Sequence, residues 1–461
     1  MTGLLALFTF GIWLIWVYYR DAGERASVSA GSWIVVVWAA IYGSRSVTEW
    51  FSHARDSPSR QSSLDEGNPV EALVSLFLIT VGVAILFRRR IRLSSVFREN
   101  IWLVVFYLFW LMSVTWSDYP IITLKRLFKD LGNVVMVLVV LTDNGPIDAI
   151  KAVCTRVAYL CIPLSVILIR YYPDWGRAYV GYDQSELMWV GVATHKNTLG
   201  VLAFIGALFL LWDLLDNRET KWKAVNKGIY GSRVLVLLMC WYLLVIANSA
   251  TSLFCAALGS TMLIILGLPS VKGRPGIVEA FGLASAVLIA ILDSVVNVKQ
   301  LFVQDVLGRD MTLTTRTEVW PLLFASQENP LVGAGFNSFW AGERLTRLFE
   351  DFGGIIQAHN GYLETYLNGG FIGVVLLVGL LLAAYARIRK KLALGAPEGR
   401  IKFILLILAI IYNNSEASFN KVGLMWFVTL YALLEYGAKI YPRTAVGLPT
   451  KSSCPSSSHL L

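Results

Sequence analysis

Apolar residues along this chain fall into long blocks, and polar residues gather in the gaps between them. A helix needs roughly 20 mostly apolar residues to cross the hydrocarbon of a bilayer, fewer when flanking side chains snorkel. On that rule the pattern predicts about thirteen spans, centred near Phe10, Val37, Leu78, Leu108, Met136, Pro163, Ile205, Leu238, Met262, Leu288, Val378, Ile407 and Phe427. The expected fold is an all-α polytopic integral membrane protein with about 12 to 13 transmembrane helices.

Orientation follows from the polar gaps, because Lys and Arg accumulate on short cytoplasmic connections. Arg88, Arg89, Arg90, Arg92 and Arg98 follow the third span, and Lys221, Lys223, Lys227 and Arg233 follow the seventh. Arg387, Arg389, Lys390, Lys391 and Arg400 follow the eleventh. Even numbers of spans separate these clusters, so all of them are cytoplasmic at once. Residues 45–69, 171–197 and 298–369 then face outward, and counting back puts the N-terminus outside. The second span is short and Ser-rich at its start; a re-entrant segment there would remove one span and leave the N-terminus in the cytoplasm. The organisation predicted is membrane helices over 1–297, a large outer loop over 298–369, further membrane helices over 370–440, and a Ser- and Pro-rich disordered cytoplasmic tail over 441–461.

Composition supports this class: 56% of the 461 residues are hydrophobic and only 15% charged, too little polar surface for a soluble chain of this length. The net charge of +9 fits basic cytoplasmic loops and does not point to nucleic acid. Of the five cysteines, Cys154, Cys161, Cys240 and Cys255 lie in apolar segments and Cys454 lies in the tail, so neither a disulfide framework nor a zinc site is indicated. The first apolar run lacks a preceding basic region and a small-residue cleavage signal, and is kept as a span.

The outer loop, read as lacking an apolar run, is far longer than a helix connector needs, and loops of that length are usually functional. Within it Thr315 and Glu318 have capping-box spacing, which puts Arg316 in a first helical turn, although Pro321 disturbs that helix. Free N–H groups and the positive dipole end there favour an anion, and guanidinium forks grip phosphate oxygens in pairs. Equally, Arg316 pairs with Glu318 or Asp310 and only pins the loop. Further on, His359 opens a short helix running to Leu367 and closed by Gly369 and Gly370. A histidine near its ordinary pKa suits proton abstraction from a sugar hydroxyl at neutral pH. No Asp-rich cluster or metal-spaced His and Glu pair occurs in the loop, so the chemistry expected uses no metal and no cofactor, with Arg supplying the positive charge.

These residues carry a resemblance to the O-antigen ligase and Wzy-type polymerase superfamily, and within it to the exopolysaccharide-production polymerase branch. The ligase signature of His, Asn, nine residues, Gly, two residues and Gly is matched by His359, Asn360, Gly370 and Gly373. Residues 308–320 resemble the Arg-containing motif of the polymerase branch, with Trp320 where the ligases have Leu. Residues 193–200, the stretch from Trp116-Ser117 to Lys125-Arg126, and residues 414–418 are similar to the same branch, in the same order.

The resemblance implies a GT-C-like membrane glycosyltransferase fold in the bacterial inner membrane, with its site facing the periplasm. Its donor would be an undecaprenyl-pyrophosphate-linked oligosaccharide, and its partners other polysaccharide assembly and export proteins. In that reading His359 is the base and Arg316 holds the departing pyrophosphate. Arg309, Lys125, Arg126, His195, Lys196 and Asn197 complete the clamp and, with Asn360 and Tyr362, contact substrate. Lys125 and Arg126 equally suit a snorkelling role, and Glu416 reads as a structural cap or pair. A ligase acting on lipid A core or protein shares this chemistry. A transporter is suggested only by span number, since the spans read as lacking mid-membrane charge and repeated halves.

Overall fold

Every predicted span centre that is described lies in a helix. The computed structural model describes residues 2–51, 68–180, 186–216, 227–277, 279–280, 316–327, 329–351 and 357–437. The centre at Leu288, Arg309, Thr315 with its cap, and the tail from 441 lie outside the described residues.

The N-terminal helices are α1 (Thr2–Glu24), α2 (Ser32–Gly43), α3 (Val47–Phe51), α4 (Pro69–Arg88), α5 (Leu93–Glu99), α6 (Ile101–Met112), α7 (Pro120–Leu141) and α8 (Pro146–Tyr171). A short α9 (Pro173–Gly176) leads into an antiparallel hairpin of β1 (Arg177–Val180) and β2 (Glu186–Trp189). Then come α10 (Lys196–Asp216), α11 (Lys227–Ile246), α12 (Ala250–Ile265), α13 (Arg316–Ala325), α14 (Gly342–Asp351), α15 (Gly361–Ala393), α16 (Pro397–Tyr412) and α17 (Leu424–Leu433). Among the described residues, six helices are long and apolar enough to cross a membrane, seven if α5 and α6, bent by 94°, form one broken span.

Helix α10 is buried almost all round, as its uninterrupted apolar sequence requires. It packs against α8, α11 and α12, while α15 packs on α6 and α16, and α16 on α12 and α17. The described members of the three basic clusters lie at one end of this bundle. Arg387 donates to the Glu99 carbonyl at 2.9 Å, and Arg400 pairs with Asp216 at 2.8 Å. His359 lies at the opposite end, before the start of α15.

Helix α1 runs from the His359 end to the basic end. Gly3 sits beside Tyr172, Trp13 beside Tyr159, and Tyr18 donates to the Arg156 carbonyl at 2.9 Å, an antiparallel course along α8. Helix α2 crosses back, with Ser32 at Arg156 and Gly43 at Leu424. The second segment is thus a short helix that runs from near the basic end toward the His359 end of the bundle.

Charge is nonetheless buried among the described helices. Asp21 pairs with Arg25 at 2.9 Å and Arg156 at 2.7 Å, and Asp213 with Arg25 at 2.8 Å and Arg233 at 2.9 Å. Glu24 pairs with Arg233 at 2.6 Å. This knot ties α1, α8, α10 and α11 together near the basic end, each charge set against an opposite one, which is how buried ions are tolerated. Asp130 is also buried, in α7, accepting from Tyr107 at 2.7 Å, Asn133 at 3.2 Å and Trp426 at 3.3 Å.

The outer loop is no solvated spacer. Leu323, Phe339, Trp340, Leu345, Leu348, Ala358, Leu363 and Leu367 form a second apolar core of its own. It is moored to the bundle by Ser113, which accepts from the Phe336 N–H at 3.0 Å, and by Ser117 bonded to Ser338 at 2.9 Å. Trp116 donates to the Val332 carbonyl at 3.3 Å. The Trp116-Ser117 motif thus docks the loop.

Candidate active site

The site is built where α15 begins. Asn360 caps α15, its side-chain oxygen accepting from the N–H groups of Tyr362 and Leu363, both at 3.0 Å. Its amide donates to the Asn414 carbonyl at 3.2 Å, and Gly361 N–H donates to the Asn413 carbonyl at 2.8 Å. A Cβ at Gly361 would stand 2.1 Å from the Asn413 side-chain oxygen, so only glycine lets the two loops touch. Tyr362 reaches the last turn of α16, donating to the Ile410 carbonyl at 3.0 Å.

His359 stands just before this cap, outside the helix in which the sequence placed it, with φ of 50°. A left-handed conformation at a non-glycine residue costs about 1–3 kcal/mol and persists where neighbours over-determine it. Here they do. The N–H of the preceding Ala358 donates to Glu364 at 2.8 Å, and the Ala358 carbonyl accepts from the Trp320 indole at 3.0 Å. Glu364, buried in the first turns of α15, also accepts from the Trp340 indole at 2.8 Å and pairs with Lys421 at 3.3 Å.

The imidazole meets Glu416 at 3.4 Å through Nδ1. Glu416 is buried, and its other oxygen accepts from the Asn197 amide at 2.7 Å. A carboxylate facing Nδ1 favours the tautomer with the proton there, leaving Nε2 to accept one. Gln357 approaches both ring nitrogens at 3.4 Å. The bundle of α10, the loop after α16 and the start of α15 therefore converge on one imidazole that is about a quarter exposed.

The other sequence candidates sort by position. His195 caps the start of α10, its Nδ1 accepting from the Asn197 N–H at 3.2 Å, and Lys196 is the first residue of that helix. Arg126 donates to the Asn337 carbonyl, and Asn337 donates to the Asn420 carbonyl at 2.7 Å, so Arg126 borders the same loop as Glu416. Lys125 is exposed between Leu124 and Phe128 on the outward apolar face of α7, apart from this network. Arg316 is the first described residue of α13, which carries Pro321 inside it; the residues before it, with the predicted cap, lie outside the described ones. Two residues that sequence reasoning left without a functional role enter the site: Glu416, which read as a structural cap, and Lys421. Lys421 also approaches Gln357 at 3.4 Å.

A multi-pass all-α membrane protein with a packed loop and a histidine–carboxylate pair at one end is the class that fold and site define. Residues 234–378 match the O-antigen ligase family. The chain is also 26% identical over 310 residues to the exopolysaccharide production protein ExoQ of Rhizobium meliloti (strain 1021), covering 64% of this chain and 67% of that one. Both matches make the chain similar to the O-antigen ligase family and to this exopolysaccharide production protein. The family match includes Arg316, His359, Asn360 and Tyr362 but stops short of Glu416 and does not reach back to Asn197.

Proposed function

We propose that this chain is an exopolysaccharide polymerase. It transfers oligosaccharide repeat units from undecaprenyl pyrophosphate to a lipid-linked acceptor at the outer face of the inner membrane. His359 Nε2 takes the proton from the acceptor hydroxyl as that oxygen bonds the anomeric carbon. The anomeric bond to pyrophosphate breaks on the opposite side, and Arg316 stabilises the anion that leaves. Glu416 stabilises the imidazolium formed, and Asn197 orients Glu416. Arg309, Arg126 and Lys196 extend the basic surround, and Asn360 and Tyr362 shape the edge on which the acceptor rests.

The observation that carries this reading is the immobilised His359. It is paired to a buried carboxylate and tied through Trp320 to the helix that carries Arg316. The name of the Rhizobium relative, an exopolysaccharide production protein, favours polymerase over the alternative, a ligase that moves glycan to lipid A core or to protein. Lipid analysis of a deletion strain separates them. Accumulated single repeat units support the polymerase; full-length lipid-linked chains that never reach an acceptor support the ligase. Full-length chains retained at the cytoplasmic face would favour a transporter instead.

A further inference from the structure

We infer that α13, the helix that carries Arg316, lies in the bilayer interface with its outward face against lipid acyl chains. The inward side of this helix is accounted for: Leu323 is buried in the loop's own core, and Val319 and Trp320 pack against it. The outward side is Pro321, Leu322, Phe324 and Ala325, all exposed and all apolar. A helix turning that side to water would carry polar residues there. The neighbouring α14 shows the contrast, with Leu345 and Leu348 buried and Glu343 and Arg347 exposed. Residues 319–325 are thus an apolar run within the outer loop.

The occupant of this face is indicated by continuity with the membrane-spanning surface. The segment after α13 is stitched to the point where α15 enters the membrane. Gln327 donates to the Tyr366 and Leu367 carbonyls at 3.0 and 3.1 Å, and the N–H groups of Phe371 and Ile372 donate to Pro330 and Leu331 at 2.8 and 3.1 Å. Leu331 is exposed there, and Phe371, Val375 and Leu382 carry the same exposed apolar stripe along α15. The two surfaces form one apolar face, and one of them belongs to a span. Apolar helix faces of this kind settle at the boundary of headgroups and acyl chains. The consequence, which rests on the role proposed for Arg316, is that the end of α13 to which Arg316 belongs lies at headgroup depth, where the pyrophosphate of a lipid-linked donor sits.

The test is a fluorophore on Phe324→Cys in a Cys454→Ser background, the other cysteines Cys154, Cys161, Cys240 and Cys255 being buried. A second protein carries the label at Arg347→Cys. Both are reconstituted in phosphatidylethanolamine–phosphatidylglycerol vesicles containing phosphatidylcholine spin-labelled on the acyl chain. The label at 324 should be quenched by the spin-labelled lipid and shielded from aqueous iodide, and the label at 347 the reverse. Equal iodide quenching at both positions would overturn the inference. So would shielding of 324 from both quenchers, which would mean that protein covers it. If the variant does not accumulate, unmodified protein with a diazirine-bearing phospholipid gives the same answer: adducts in residues 319–325 and none in 342–348 support it, and the opposite pattern overturns it. Neither readout uses catalysis, so a water-exposed α13 alongside inactive His359 and Arg316 variants would remove this inference and leave the polymerase reading standing.

Discussion

The indole N–H of Trp320 donates to the carbonyl of Ala358 at 3.0 Å. The helix that carries Arg316 and the turn that carries His359 are thereby one mechanical piece, although the two residues lie 43 positions apart. A base and an anion clamp work on the same substrate only if their spacing is held, since misplacement of about 1 Å can cost two orders of magnitude in rate.

Replacing Trp320 with Phe removes this hydrogen bond and keeps most of the ring. A net loss of about 0.5–1.5 kcal/mol in positioning corresponds to a two- to tenfold slower polymerisation. Polymer yield against time, at membrane abundance matched by blotting, checks this; an unchanged rate would mean the tie does not matter to turnover.

Glu416→Gln removes the charge opposite His359 Nδ1 and keeps the volume. The expected outcome is a kcat roughly tenfold to a hundredfold lower with KM little changed, because the carboxylate acts in the transition state through the imidazole. Asn197→Ala should give a smaller loss of the same kind. Combined, the two changes should cost less than the sum of their separate effects, since Asn197 works through Glu416. Full additivity in that cycle would place Asn197 on the substrate instead.

Gly370 breaks α15 with non-helical backbone angles, and Gly370→Ala addresses that break. Gly370 has φ of 59°, and a Cβ there would stand 2.3 Å from the Leu331 carbonyl carbon. The substitution meets both a disfavoured backbone conformation and a neighbouring chain, so loss of folded protein by about 2 kcal/mol or more is expected. Thermal unfolding in detergent reads it out, and a wild-type melting curve would show that the break relaxes easily.

The charge knot is expected to serve stability and not turnover. Asp21→Asn leaves Arg156 and Arg25 short of a counter-charge in a buried setting, a change that costs about 3–5 kcal/mol in comparable pairs. Protein level and melting temperature should fall while activity per folded molecule stays near wild type. Loss of specific activity without loss of stability would give the knot a part in the reaction.

Much of the fold was legible because block length alone marks a membrane helix, and the described span centres from Phe10 to Phe427 fall in helices. His359 was legible as a rare polar side chain before a glycine-bounded helix. Its partners were not. Glu416 lies 57 positions from His359 and 219 from Asn197, and no local pattern joins them. The run from Val319 to Ala325 was passed over because seven residues are too few to span a bilayer. Asp21 and Arg25 sit at the end of α1, where charges read as a connecting loop, and only the packing of α8, α10 and α11 around them shows that they are buried.

The most direct test of the central claim is polymerisation by purified, reconstituted protein supplied with lipid-linked oligosaccharide, comparing wild type with His359→Ala and Arg316→Ala. Resolving the products by length should give a ladder of extended chains for wild type. For each variant, folded to the same extent, unextended donor should remain, with a rate loss of about two to four orders of magnitude for the missing base. A wild-type ladder from either variant would contradict the account and assign that residue a structural part.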